Sequence, residues 1–143
     1  MASISSANAI LQILVDTVFP VPIQLQGFSA DDIFTTNPLE SAETLMGVDG
    51  ILSGGFVFVP VKWEVSFQAD SVSNSVFDQW YQSEQAVKDV FQAQGALWLP
   101  SIGTKWALNN GFLTTFHAIP DARKVLQPRR NAITWESVSP AII

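Results

Sequence analysis

Two stretches of the chain alternate cleanly between apolar and polar residues. From Val61 to Ala69, Val61, Trp63, Val65, Phe67 and Ala69 fall on one side and Lys62, Glu64, Ser66 and Gln68 on the other. A period of two is that of a half-buried strand. Between Ala132 and Val138, Ile133 and Trp135 interleave with Thr134 and Glu136 in the same way. Further short apolar runs bounded by turn-forming residues predict strands at Leu11–Phe19, Ile23–Ala30, Ala42–Val48, Phe56–Pro60, Leu97–Pro100, Trp106–Leu108 and Phe112–Ile119. Asn109-Asn110-Gly111 reads as a tight turn, because Asn-Gly readily takes the positive-φ positions of a type I′ hairpin. Gly27 and the pair Gly54-Gly55 read as bends or bulges.

One segment follows the helical period instead. After the capping cluster Ser71 to Ser75, apolar residues recur at Val76, Phe77, Trp80, Tyr81, Val87, Val90 and Phe91. Gly95 stands where a helix-ending glycine belongs, so the expected helix spans residues 74–94. Strands, then one helix, then strands predict a mainly β (α+β) domain over 1–143. The expected architecture is an antiparallel β-sandwich or barrel with one flanking α-helix.

Residues 31–55 fit neither period. Asn37-Pro38, Gly47, Asp49-Gly50 and Gly54-Gly55 punctuate a stretch with few core-sized residues in series. It reads as a long acidic, hairpin-like arm, and segments of this kind in compact domains usually carry function.

Composition sharpens this picture. Hydrophobic residues make up 48% of the chain and charged residues only 14%, against about 25% charged in an ordinary soluble domain. The longest apolar stretch, residues 7–23, is interrupted by Asn8, Gln12, Asp16, Pro20 and Pro22, so no membrane span is expected. It has no preceding Lys or Arg, as a secretory signal would. A soluble chain this apolar carries more greasy surface than one core hides, which predicts a large interface.

Charge is unevenly distributed. The net charge is −6, and all of it arises within residues 1–61, which contain no Lys or Arg. Four of the seven basic residues cluster at Arg123, Lys124, Arg129 and Arg130. An acidic protein is a poor nucleic-acid binder. Two readings of the segregation stand: solvated loops of opposite sign, or a head-to-tail contact between an acidic arm and a neighbour's basic loop.

Chemistry is sparse. His117 is the sole histidine and there is no cysteine, so a zinc site is not expected. No nucleophile elbow, phosphate loop or dinucleotide fingerprint is present. Asp31 and Asp32 are adjacent and point to opposite sides of an extended chain, and Asp49-Gly50 reads as a turn. Of the five tryptophans, Trp63, Trp80 and Trp135 fall on apolar phases and are expected in a core or interface. Trp98 and Trp106 are less clearly placed, which leaves room for a carbohydrate-binding module. No catalytic residue, cofactor or metal is expected.

The order of parts resembles the tube-forming proteins of bacteriophage tails and the ring proteins that continue the tube into the baseplate of contractile tails. The likeness is carried by the early strand pair through residues 23–29, the arm Ala42-Glu43-Thr44 with Gly47-Val48-Asp49-Gly50 and Ser53-Gly54-Gly55, the strand that follows at once, the mid-chain helix, and the late Pro120-Asp121-Ala122-Arg123 before a last strand. The resemblance implies a structural virion protein in which six copies close into a ring, edge to edge, around a channel for DNA. Long loops would reach other rings, and other tail or baseplate proteins, possibly sheath, would be partners. DNA would be only passing cargo, and assembly would occur in the host cytoplasm. A repeating tube subunit and a single-ring baseplate or tube-end protein both fit. By this likeness Asp31, Asp32, Glu40, Glu43 and Asp49 of the arm and Arg123, Lys124, Arg129 and Arg130 are candidate inter-subunit contacts.

Overall fold

A computed structural model describes residues 9–16, 18–28 and 33–142. Among the described residues nine strands and one α-helix follow in the order β1 (Ile10–Val15), β2 (Phe19–Leu25), β3 (Phe34–Thr36), β4 (Ala42–Met46), β5 (Leu52–Phe56), β6 (Val61–Phe67), α1 (Asn74–Val87), β7 (Ala93–Leu99), β8 (Thr104–Thr115) and β9 (Arg129–Ile142). Seven strands form one antiparallel sheet in the order β2-β1-β7-β8-β9-β6-β3, while β4 and β5 pair only with each other.

The main sheet curls over the helix without closing into a barrel, giving a sandwich-like body. Beyond the end of β2, an isolated bridge joins Phe28 to Phe67 of β6, and Gln68 donates its N–H to Gly27 O at 3.0 Å. One corner is thereby drawn together although four strands lie between β2 and β6 in the sheet order. Inside lie Leu11, Ile13 and Val15 of β1, Trp63, Val65 and Phe67 of β6, Ile133 and Trp135 of β9, and Phe77 and Trp80 of α1. The alternation that predicted β6 holds from Val61 to Val65, with Val61, Trp63 and Val65 buried, Lys62 exposed and Glu64 half-exposed, but Ser66, expected on the polar side, is buried and the strand ends at Phe67 rather than Ala69. Aromatic contacts run through this core, with ring centroids 5.5 Å apart for Phe67 and Phe77 and 6.5 Å for Trp63 and Trp135. Aromatic pairs at such spacing add to area burial.

Several sequence expectations are corrected. The run read as one strand, Leu11–Phe19, is a hairpin in which β1 and β2 pair with each other, and β2 ends at Leu25 rather than Ala30. Phe56–Pro60 is not a strand, since β5 ends at Phe56. Gly54 and Gly55 lie within β5 rather than at a bend, whereas Gly27 does make one, with φ of +76°.

Asn109-Asn110-Gly111 is not a hairpin turn. It lies inside the twelve-residue β8, as a bulge against β7 where Ala93 pairs Gly111 and Gly95 pairs Leu108. Asn110 takes the positive φ (+49°) that the motif favours. The turn joining β7 to β8 is made instead by a short 3-10 turn at Pro100–Ile102, ending on Gly103.

The helix ends at Val87, not at residue 94. Lys88 takes the left-handed conformation and donates its N–H to Glu84 O at 2.8 Å, and Gly95 is a residue of β7. Val87 and Val90 are consequently exposed rather than part of the buried stripe. The serines before the helix do not cap it. Ser73 Oγ accepts the Gln26 N–H at 2.7 Å, and Ser71 Oγ donates to Gln26 O at 2.6 Å. Their polar groups satisfy the end of β2, which has no further strand beside it.

Candidate assembly surfaces

The arm is the first surface. Asn37 and Lys62 tie its root to β6: Asn37 donates its N–H to Lys62 O at 3.3 Å, and Lys62 donates its N–H to Asn37 Oδ1 at 2.9 Å. Beyond this clasp β4 and β5 form a hairpin in the register Ala42 with Phe56 to Met46 with Leu52. Its turn is fixed locally. Gly47 donates to Ile51 O at 2.9 Å, Asp49 Oδ1 accepts the Ile51 N–H at 3.1 Å, and Gly50 has φ of +84°. Asp49 therefore serves its own turn, as its spacing predicted.

Every residue of β4 and β5 is exposed. Leu45 is 77% exposed, Phe56 74% and Phe58 90%, and Phe56 and Phe58 pack only edge to face at 4.9 Å. A lone two-stranded hairpin is marginal in water and needs a covering partner. Glu40 and Glu43 are exposed on the same arm. Asp31 and Asp32 lie outside the described residues.

The basic residues divide into two groups. Arg123 and Lys124 crown a tight exposed loop closed by an Ala122–Leu126 bridge and a Gln127 N–H to Asp121 O bond of 2.9 Å. Val125 and Leu126 beside them are also exposed. Arg129 and Arg130 instead begin β9. The Arg129 guanidinium is buried and donates to Asp78 of α1 at 2.6 Å, to His117 O at 2.9 Å and to Ala118 O at 3.2 Å. It also lies over the Phe116 ring, which stacks on Tyr81 at 4.5 Å. Arg129 thus pins helix to sheet within the chain. Arg130 Nη1 pairs with Glu64 across β9 and β6 at 3.1 Å. Sequence proximity suggested one patch, but a strand end turned one of the four inward.

His117 lies just past β8 and not within a strand. Its main-chain N–H donates to Asn131 Oδ1, its Nδ1 accepts the Arg130 N–H, and its Nε2 lies 3.7 Å from Asp121. Trp63, Trp80 and Trp135 are buried as expected, while Trp98 and Trp106 are half-buried. Lys105 Nζ lies over the Trp98 ring, and Trp106 lines an apolar groove. Among the described residues no three His, Asp or Glu side chains converge as metal ligands, and no helix is long and apolar enough to cross a membrane.

A further feature was not legible in the chain: one edge of the main sheet is blunted. Asp16 donates its N–H to Gln92 O, so even-numbered residues of β1 face β7 and odd-numbered ones face β2. On β2, Ile23 and Leu25 then face inward and Pro22 and Gln24 face out, while Pro20 lies in the irregularity between the Ile13–Ile23 and Val15–Phe19 pairs. Neither proline offers an N–H, a common defence of an exposed edge.

A sequence profile of the family described as Tail fiber protein gp32 matches residues 2–139. No curated protein has a significantly matching sequence. Among solved structures, a chain in the six-fold symmetrised cryo-EM structure of the anti-feeding prophage baseplate is similar, with a TM-score of 0.60, 12% identity, and coverage of 99% of this chain and 97% of that one. A chain in the sheath/tube terminator of the extracellular contractile injection system PVC, in its extended state, gives a TM-score of 0.59 at 12% identity, covering 99% and 98%. One in the tube-terminating cap of the anti-feeding prophage gives 0.58 at 11%, covering 100% and 93%. At such identities these likenesses establish a shared fold. With the profile spanning nearly the whole sequence, the chain belongs to the tail fiber protein gp32 family and is a structural protein of the phage tail and baseplate type.

Proposed function

We propose that this protein assembles as a homohexameric ring around the channel of a phage-tail-like particle. The observation that carries this reading is the β4–β5 hairpin, held away from the main sheet with Leu45, Met46, Phe56 and Phe58 in solvent. Apolar surface of that kind on a lone hairpin asks for a partner. The arm, with Glu40 and Glu43, serves as one half of a head-to-tail contact, and Arg123 and Lys124 as the basic half. A head-to-tail contact generates a ring when its rotation closes. The acidic balance of the chain keeps DNA passing through the channel from being gripped by the wall.

A repeating tube subunit and a single ring at the baseplate or tube end both fit, since similar chains occur in a baseplate, a sheath–tube complex, a terminator and a cap. At a tube end the two faces of the ring meet different neighbours, including tube or sheath components.

Negative-stain electron microscopy with light scattering on the purified protein tests the proposal. Rings with six-fold averages support it. A monodisperse monomer at high micromolar concentration, at every salt concentration tried, would sink it.

A further inference from the structure

The β4–β5 hairpin is joined to the body by a hinge. The clasp between Asn37 and Lys62 ends the ladder of the main sheet, and Val57, donating its N–H to Ser41 O at 2.9 Å, begins the ladder of the hairpin. Between them run Pro38, Leu39 and Glu40 on the way out and Phe58, Val59 and Pro60 on the way back. These residues lie outside regular secondary structure, and no main-chain hydrogen bond crosses from one set to the other. Pro38 and Pro60 have no N–H with which to make one. A ribbon without cross-strand bonds bends there, while the hairpin beyond keeps its register. That hairpin is amphipathic. Direct cross-strand partners share a face, so Ala42, Thr44, Met46, Leu52 and Phe56 lie together and Glu43, Leu45 and Ser53 lie on the other side. Met46, Leu52 and Phe56 are exposed, and Phe58 packs on Phe56. Beside the hinge the inner face of the main sheet opens in an apolar groove of about 340 Å³, lined by Leu97, Leu99, Trp106 and Val138 among others. Leu39 and Val61, at the two roots of the arm, line it as well.

We infer that the hairpin is a lid: in the unassembled chain it swings about residues 38–40 and 58–60 and lays its apolar face on the groove of its own sheet. The inference rests on the ring reading above and names what regulates it, because a closed hairpin is withheld from a neighbouring copy. Three observations select the chain's own groove. The first is reach. Leu39 already stands at the groove, and the seven residues from there to Met46 span up to about 25 Å when extended. The groove runs from Val61, which pairs with Trp135, to Val138 three residues further along β9, or about 10 Å. The second is chemistry. Closure sets apolar side chains against an apolar lining and leaves Glu43 and Ser53 on the outer side, where their polar groups keep their water. The third is tethering. A linked partner acts at an effective concentration in the millimolar range, about a thousandfold above micromolar protein, so the groove of the same chain is met before the surface of another. An open hairpin on a lone chain is an aggregation hazard that closure removes. Opening is then a step that a neighbouring copy drives by binding the open state better.

Cross-linking in the monomer reads closure directly. The chain has no cysteine of its own, so Thr44→Cys on the apolar face of the hairpin is combined with Val138→Cys or Leu99→Cys in the groove. The control combines Thr44→Cys with Ala107→Cys, at an exposed position between the groove-lining Trp106 and Leu108 that faces away from the groove. Thermal melting establishes that each variant folds, and the second groove position carries the test if the first does not. With a short bis-maleimide at low micromolar concentration, the groove pairs should cross-link within one chain about tenfold faster than the control pair, as a partner held in place by its tether does. Equal rates, or products that are dimers only, overturn the lid. Its control of assembly is tested with Val138→Ser, which spoils the groove and leaves the hairpin intact. Light scattering over a concentration series should show this variant assembling at a severalfold lower concentration than the parent, since more of it holds the hairpin open. An unchanged threshold overturns that control, and a raised one does so by showing that the groove serves a second copy. A parent that never assembles, with the groove pairs still cross-linking within one chain, overturns the ring and leaves the lid standing.

Discussion

Gly111 of β8 lies beneath the ring of Trp135 on β9 so closely that a Cβ at position 111 would sit 2.4 Å from Trp135 Cε3. Gly111 pairs directly with Trp135 in the ladder, and the indole occupies the space a side chain would need. The glycine that looked like half of a hairpin turn is there for close packing. Trp135 is fully buried and cannot move aside without disturbing Trp63. Gly111→Ala is expected to destabilise the fold by about 1–3 kcal/mol, the usual cost of overpacking a tight core. Urea unfolding followed by tryptophan fluorescence measures it, and an unchanged midpoint would contradict the account.

Arg129 is expected to behave as an internal clamp. Asp78→Asn keeps the shape but removes the carboxylate that accepts at 2.6 Å. A charged hydrogen bond of this kind contributes about 1.5–3 kcal/mol, and the lower end applies because the Asp78 side chain is 47% exposed. Arg129→Lys should not rescue, since one ammonium cannot reach Asp78, His117 O and Ala118 O together. Thermal unfolding of the two variants, singly and combined, gives the coupling.

Glu84 gives a pH signature. Burial raises its carboxyl above the ordinary value, only partly offset by the Phe91 N–H it accepts at 3.0 Å, and Asp89 nearby pushes the same way as burial. The folded state thus holds this proton more tightly than the unfolded chain. The contribution is fully present below the unfolded value of 4.5 and is lost as pH rises through the higher folded value. Glu84→Gln keeps an acceptor for Phe91 and cannot ionise. Its stability relative to the parent should therefore rise between acidic and neutral pH. Chemical denaturation at a series of pH values reads the difference.

The arm-to-loop contact is tested at residues free to make it. Reversing Arg123 and Lys124 together to Glu should weaken assembly, and reversing Glu40 and Glu43 to Lys in the same chain should restore part of it. Each exposed pair contributes only about 0–1 kcal/mol, so the effect is read from several charges at once, at low salt. Absence of rescue would remove this contact. Arg129 is unsuited to the experiment, because its reversal would place a carboxylate against Asp78 inside the fold.

The amino-acid pattern was enough to settle the β6 strand, the existence of the helix, the buried phase of Trp63, Trp80 and Trp135, and the arm with its Asp49-Gly50 turn. These follow from periodicity and local turn chemistry, which neighbouring residues specify among themselves. Long-range placement decided the rest. Asn109-Asn110-Gly111 has the same local preferences in a hairpin as in a bulge, and only the partners β7 and β9 on either side of β8 chose the bulge. The serines before α1 carry hydroxyls suited to capping, yet the unpaired end of β2 lay within reach and took them. Arg129 and Arg130 are neighbours in sequence, but opposite faces of one strand sent the first to Asp78 inside the fold and the second to Glu64 on the outer face. That Pro22 blunts the β2 edge is set by which residue faces which strand, and that is fixed only when the strands have assembled.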